Sequence, residues 1–335
     1  KVPDTGIRGL TSNPTIFQKA IQGSADYDEQ FQSLIQNQSS IIDSYWAMVL
    51  QDIHGALEVF APVYTSSHGT DGFVSVEVDP NLALDEAGTL AAGQHLWDAV
   101  QRPNLMVKIP ATKPCIAAIR AMIAAGRNVN VTLIFSLERY QNVMDAYIEG
   151  LEDRVASGQS IADVASVASF FISRVDSEVD PRLESLGTSE ALSLRGKAAI
   201  AQAVLAYEAF QSTFSGSRWE ALASRGAKVQ RPLWASTSTK NPAYPDTLYV
   251  DQLIGPDSVN TLPDATVDAF ADHGTVARTI DINVDQAHAE WQALQMIGID
   301  MEEDAQKLER EGVASFQKSF TELIDALTEK AQQFR

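Results

Sequence analysis

Lys108 stands inside an apolar run, Leu105-Met106-Val107-Lys108-Ile109-Pro110, that ends at the proline. Desolvation penalises the ammonium form, so burial would favour the neutral amine, the form that attacks a ketone carbonyl. A strand lysine can instead snorkel to the rim or pair with a carboxylate. A carboxylate is available in Val74-Ser75-Val76-Glu77-Val78-Asp79, where Glu77 lies one step before a loop and, within an alternating apolar run, needs a polar partner. In Val129-Asn130-Val131-Thr132 the period of two puts Asn130 and Thr132 on one face. Asn13 closes an earlier run, and Ser169 and Ser236 close two later ones. Each has a plainer role open to it: Asn13 before Pro14 as a turn residue, Thr132 as a strand former, Ser236 as a helix cap. If the runs are parallel strands of a barrel, their carboxyl ends converge on one mouth, where active sites of that architecture lie. Polar residues recurring there around one lysine then read as a site for imine chemistry.

Cations suited to an anionic substrate follow two of the same runs. Arg174 lies in Ser169-Phe170-Phe171-Ile172-Ser173-Arg174, and Lys240 in Ser236-Thr237-Ser238-Thr239-Lys240. Surface salt bridging is the ordinary fate of such residues. Here 25 basic residues face 44 acidic ones, for a formal charge of −19. That field repels phosphate backbones and argues against a nucleic-acid partner, so an anionic ligand would depend on a few local cations. No Gly-x-Gly-x-x-Gly follows a strand and no Gly-x4-Gly-Lys-Ser/Thr is present, so no nucleotide site is indicated. His54, His68, His95, His273 and His288 are scattered without ligand spacing, which disfavours a zinc-dependent aldolase.

The elements that must position these residues are legible as alternation. Short Val-, Ile- and Leu-rich runs alternate with segments of helical period, the signature of repeated βα units and a parallel sheet. Strands are expected near Gly6–Thr11, Phe73–Val78, Leu105–Ile109, Val129–Leu133, Val164–Ser169, Arg231–Ala235 and Ser258–Thr261. Ile42, Tyr45, Trp46, Val49, Ile53, Leu57 and Phe60 keep three-four spacing after Ser40, a candidate N-cap. Ile200, Ala203, Val204 and Tyr207 mark a second helix; Phe316, Phe320, Leu323, Ile324 and Leu327 mark the last. Such stripes are core far more often than ligand contacts. A hydrophobic fraction of 45% over 335 residues fits a sizeable core, and no Gly/Ser-rich linker divides it. The expectation is one (β/α)8 TIM barrel over residues 1–335, with residues 15–36 as a helical insertion and residues 301–335 as a C-terminal helix packing on the barrel. Cys115 is the only cysteine, no run approaches the roughly 18 apolar residues of a membrane span, and the N-terminus has no signal-peptide pattern. A cytoplasmic home without membrane partners is the simplest expectation.

The segments GLTSNPTIF, VSVEVDP, LMVKIPAT, VNVTLIFS, VASFFISRVD and RPLWASTSTKNPAY, in this order, resemble the transaldolases, in particular the longer bacterial subfamily of the actinobacterial and cyanobacterial kind. The resemblance implies transfer of a dihydroxyacetone unit from sedoheptulose 7-phosphate to glyceraldehyde 3-phosphate in the pentose phosphate pathway, with no metal or organic cofactor. By the same motifs it implies Lys108 as the Schiff-base lysine, with Glu77 and Thr132 holding a proton-shuttling water. Asn13 and Asn130 would bind donor hydroxyls, Ser169 and Phe171 shape the pocket, and Arg174 with Ser236 hold the phosphate. The short family form has an arginine where Ser238 stands here, which leaves Lys240 as the second phosphate cation. The partners implied are sugar phosphates, with a homodimer an open option. Two other readings stay open: a fructose 6-phosphate aldolase-like enzyme on the same lysine, and a silent barrel used as a binding module. The family also places a strand with a catalytic aspartate before GLTSNP, about thirty residues for such a βα unit. Asp4, in a Pro-Asp-Thr-Gly turn, cannot replace that aspartate, so the chain is expected to lack its true N-terminus and to show seven strands with a gap between the first and the last.

Overall fold

Runs of apolar residues bounded by turn formers become parallel strands, and the computed structural model, which describes residues 6–334, contains seven of them. Asp4 lies outside the described residues. The chain divides into two units, residues 1–109 with 312–335 and residues 110–311.

In the first unit β1 (Leu10–Thr11), β2 (Val74–Glu77) and β3 (Leu105–Pro110) lie side by side in chain order. Every residue of β2 and β3 is buried, as a parallel strand covered on both faces must be. Between β1 and β2 run α1 (Pro14–Gly23), α2 (Asp28–Gln36) and α3 (Ile41–Ser66), and α4 (Glu86–Val100) precedes β3. Ser40 caps α3 as expected, its Oγ accepting from the Asp43 amide at 3.0 Å. Tyr45, Val49, Ile53, Leu57 and Phe60 are buried along the helix, whereas Ile42 is 41% exposed in the first turn, before the buried stripe begins at Ser44.

In the second unit α5 (Cys115–Ala124) leads into β4 (Val129–Ile134), α6 (Leu137–Ala156), β5 (Ser166–Phe171) and α7 (Ser173–Leu186). There follow α8 (Ser189–Ser193), α9 (Ala198–Thr213), α10 (Gly216–Ala223), β6 (Arg231–Ala235), α11 (Leu248–Asp251) and β7 (Val259–Asn260). The strands pair in parallel, β4 with β5, β5 with β6 and β6 with β7. Helices α12 (Asp264–His273) and α13 (Val284–Met296) complete the unit, and α14 (Met301–Ala331) starts in it. The spacing in α9 suggests one apolar face, yet the helix is buried nearly all round, with Ile200 only half-buried. Its alanines make a slim rod that α6, α7 and α13 can approach from several sides.

From residue 312 on, α14 belongs to the first unit and buries Phe316, Phe320, Leu323 and Leu327, with the Phe320 ring edge-on to Tyr45 at 5.3 Å. Parallel strands in chain order with a helix in each crossover are the α/β barrel class that the alternation predicts. No helix among the described residues is long and apolar enough to cross a membrane.

Candidate active site

The register of β2 on β3 sets Glu77 beside Lys108. Side chains paired in register on neighbouring strands point to the same face, and here the Lys108 Nζ lies 3.0 Å from Glu77 Oε2. Lys108 is 4% exposed and Glu77 7%. The ammonium also donates to the Ser12 carbonyl at 3.1 Å and stands 5.9 Å from the centre of the Phe316 ring, within cation–π range. Burial pushes the Glu77 carboxyl above its usual range, and the attraction of Lys108 only partly offsets it. The pair can therefore pass a proton from nitrogen to oxygen without creating net charge. Asn13 serves as the N-cap of α1, its Oδ1 accepting from the Ile16 amide at 2.8 Å. It borders, with Ser12, Tyr45, Trp46 and Glu77, a cavity of about 10 Å³, room for a single water.

The second unit gathers most of the other expected residues. Asn130 and Ser169 are buried on adjacent strands, the Ser169 hydroxyl donating to Asn130 Oδ1 at 2.7 Å. Thr132 is fully buried, and its hydroxyl has no hydrogen-bond partner among the described residues. An orphaned buried hydroxyl is costly, so a water or a ligand atom is the natural complement. Thr132 lies within the slip in the pairing of β4 with β5 between Val131 and Ile134, and the next residue, Leu133, takes φ +59°. A leucine in the left-handed region is strained by about 1–3 kcal/mol, a feature that clusters at working sites.

At the end of β5 the Phe171 ring packs 5.0 Å from Phe135, and the Arg174 guanidinium lies 5.3 Å from the Phe171 ring centre. Arg174 sits in the first turn of α7 and has no carboxylate at ion-pair distance among the described residues, so surface salt bridging is not its fate. Partial burial lowers its pKa, with Glu311 acting in the opposite sense. A half-buried cation at a helix N-terminus suits an anion. Ser236, at φ +57°, closes β6 and joins the same place through Ser173, whose Oγ is 3.0 Å from Ser236 Oγ and whose amide donates to the Ser236 carbonyl at 3.0 Å. Lys240 stands apart from this group: it is exposed, and its ammonium donates to the Ser238 hydroxyl at 2.6 Å.

Several participants escaped the reading of the sequence. Ser12 acts through its carbonyl, which carries no side-chain signal, and Phe316 belongs to a stripe that reads as core. Ser173 and Phe135 were within reach, since Ser173 lies beside Arg174 in the motif SFFISR and Phe135 three residues past Thr132 in VNVTLIFS.

Known proteins resemble the chain throughout. The model of the family described as transaldolase/fructose-6-phosphate aldolase matches residues 1–327. A transaldolase of Parafrankia sp. (strain EAN1pec) is 53% identical over 96% of this chain and 88% of its own length. Transaldolase 1 of Streptomyces coelicolor is 51% identical over 96% of this chain and 84% of its own, and a transaldolase of Thermobifida fusca 49% over 98% and 90%. With a buried lysine–glutamate pair at paired strand positions and this degree of likeness over its length, the chain belongs to the transaldolase/fructose-6-phosphate aldolase family.

Proposed function

We propose that this transaldolase-type transferase works through Lys108, whose Nζ attacks the C2 carbonyl of a ketose phosphate. The observation that carries the proposal is the buried ion pair of Lys108 with Glu77. Glu77 takes a proton from the ammonium, freeing the lone pair, and returns protons as the carbinolamine loses water. The resulting iminium draws electrons from the C3–C4 bond as water takes the C4 hydroxyl proton, so cleavage releases an aldose phosphate and leaves a three-carbon enamine on Lys108. That enamine adds to the aldehyde carbon of glyceraldehyde 3-phosphate, and water then frees fructose 6-phosphate and the amine. The donor in the physiological direction is sedoheptulose 7-phosphate.

In the first unit Asn13, with its carbonyl oxygen committed to the α1 cap, offers its amide NH2 to a donor hydroxyl. In the second unit Thr132 offers its unpartnered hydroxyl to a proton-carrying water, while Asn130 and Ser169 form a polar pair for sugar hydroxyls. Phe171 walls the pocket, and Arg174 with Ser236 binds the phosphate, with Lys240 as the second cation after release from Ser238.

The relatives named above all carry the name transaldolase, which favours transfer over aldol release, and a silent binding module is not favoured. Borohydride added with fructose 6-phosphate should trap an adduct on Lys108, read by peptide mass mapping. An adduct on another lysine, with Lys108 unmodified, would sink the mechanism. Running the assay with and without erythrose 4-phosphate measures transfer against release.

A further inference from the structure

Two aspartates one helical turn apart on α7, Asp176 and Asp180, each divide their oxygens in the same way. Asp180 Oδ2 accepts from the Tyr244 hydroxyl at 2.5 Å and its Oδ1 from the Gly196 amide at 2.9 Å. Asp176 Oδ2 accepts from the Tyr249 hydroxyl at 2.7 Å and its Oδ1 from the Ala199 amide at 2.9 Å. Both carboxylates are buried, and both tyrosines lie beyond β6, Tyr244 on the stretch that begins with Ser236 and Tyr249 on α11. Residues 236–247 form no helix or strand of their own. The Thr239 hydroxyl donates to the Pro245 carbonyl at 2.8 Å, and the Tyr244 amide to the Asn241 carbonyl at 3.1 Å, so the stretch is cross-braced internally. Gly196 takes φ +71°, and a Cβ there would come within 2.8 Å of the Tyr244 ring, so the ring packs against a glycine that leaves it space. The bond to Asp180, itself held by the Gly196 amide, and the packing against Gly196 are thus a built seat for Tyr244.

We propose that Tyr244 and Asp180 are positioning residues for phosphate binding: they clamp the stretch that carries Ser236 and Lys240 to the helix that carries Arg174. Neither residue touches substrate. With the clamp closed, the Ser236 hydroxyl and the Arg174 guanidinium are held near their binding geometry before the phosphate arrives, and little ordering beyond the release of Lys240 from Ser238 remains to be done on binding. With it open, the twelve-residue irregular stretch 236–247 must be fixed by the ligand itself. The cost then falls on phosphate affinity and leaves the imine chemistry untouched. The inference rests on the assignment of phosphate to Arg174 and Ser236.

The test compares Tyr244→Phe, Asp180→Asn and Arg174→Ala in the full chain, with fructose 6-phosphate and with unphosphorylated fructose as donors. Tyr244→Phe removes one oxygen from a half-buried ring. It should raise KM for fructose 6-phosphate roughly tenfold or more, the scale of one lost hydrogen bond to a charged group. It should leave kcat within about twofold and KM for fructose unchanged. Asp180→Asn should act in the same direction, and both variants should speed amide exchange in residues 238–247. If Arg174→Ala is selective for the phosphorylated donor while Tyr244→Phe and Asp180→Asn behave as wild type, the clamp is overturned and the phosphate assignment stands. If both clamp variants impair the two donors equally, the residues are merely structural and the clamp is again overturned. If Arg174→Ala shows no selectivity either, the phosphate assignment falls and takes the clamp with it.

Discussion

A lysine and a glutamate 3.0 Å apart, both almost wholly buried, face two opposing costs. Keeping both charges requires desolvating both, and removing either charge alone strands the other. Burial shifts Glu77 toward its protonated form against the attraction of Lys108, which suits a carboxyl that must accept and return protons during imine chemistry. Lys108→Arg should abolish transfer and borohydride trapping, because a guanidinium stays protonated and forms no imine. Glu77→Gln should lower kcat by about a hundredfold or more, the usual scale for a general acid–base group. A loss of less than about threefold would place the shuttle elsewhere. Arg174→Ala should raise KM for phosphorylated donors far more than for unphosphorylated ones, and an equal effect on both would leave it a structural role. These side chains were legible because each interrupts an apolar alternation with a group that needs a partner. The strain at Leu133 and Ser236 was not, since both are ordinary strand-end residues in sequence and only the backbone reveals the left-handed φ.

Among the elements, all seven strands lie where the apolar runs predict, with ends differing by a few residues: β1 keeps only Leu10–Thr11 of the run from Gly6, and β5 extends past Ser169 to Phe171. The extension matters, because it carries Phe171 within the strand up to the start of α7. Helix α9 was legible as a helix but not in its burial, since an alanine-rich rod offers no polar face from which to read the solvent side. Helix α7 hides a further property behind an ordinary acidic sequence. Burial pushes the Asp176 carboxyl up from 3.8 to about 6, against the lowering effect of the Tyr249 hydroxyl and the Ala199 amide. The folded chain therefore binds this proton more tightly than the unfolded chain. Its contribution to stability is full below the unfolded value and is lost as pH rises through about 6. Between pH 5 and 7.5 the loss should be on the order of 1–2 kcal/mol, at about 1.4 kcal/mol per pH unit. Asp176→Asn cannot titrate, so urea melts should find the variant closer in stability to wild type, or above it, at pH 7.5 than at pH 5. An identical difference at the two pH values would mean that Asp176 does not change protonation there.

At the scale of the whole molecule the division into two units was invisible in the sequence. One boundary falls at the end of β3 and the other inside α14, and neither place has the Gly/Ser-rich composition of a linker. What composition does state is charge, −19 in all with a pI near 4.6. Exposed ion pairs such as Arg120 with Asp153 and Arg218 with Glu152 offset little of that excess, since pairs in water are worth little. The mutual repulsion of the surplus carboxylates opposes the folded state. Screening acts on both contributions, weakening the pairs and the repulsion alike. With 44 acidic residues against 25 basic ones the repulsion should win. Salt shortens the reach of these charges from about 30 Å at 0.01 M to about 8 Å at 0.15 M. Raising sodium chloride over that range should therefore lift the melting midpoint at pH 8 by roughly 1–3 °C, the response to a stabilisation of about 1 kcal/mol. Near pH 5, where the net charge is close to zero, the lift should be much smaller, and the loss of ion pairs could turn it negative. An equal lift at both pH values would show that salt acts on this chain through hydrophobic burial and not through its acidic surface.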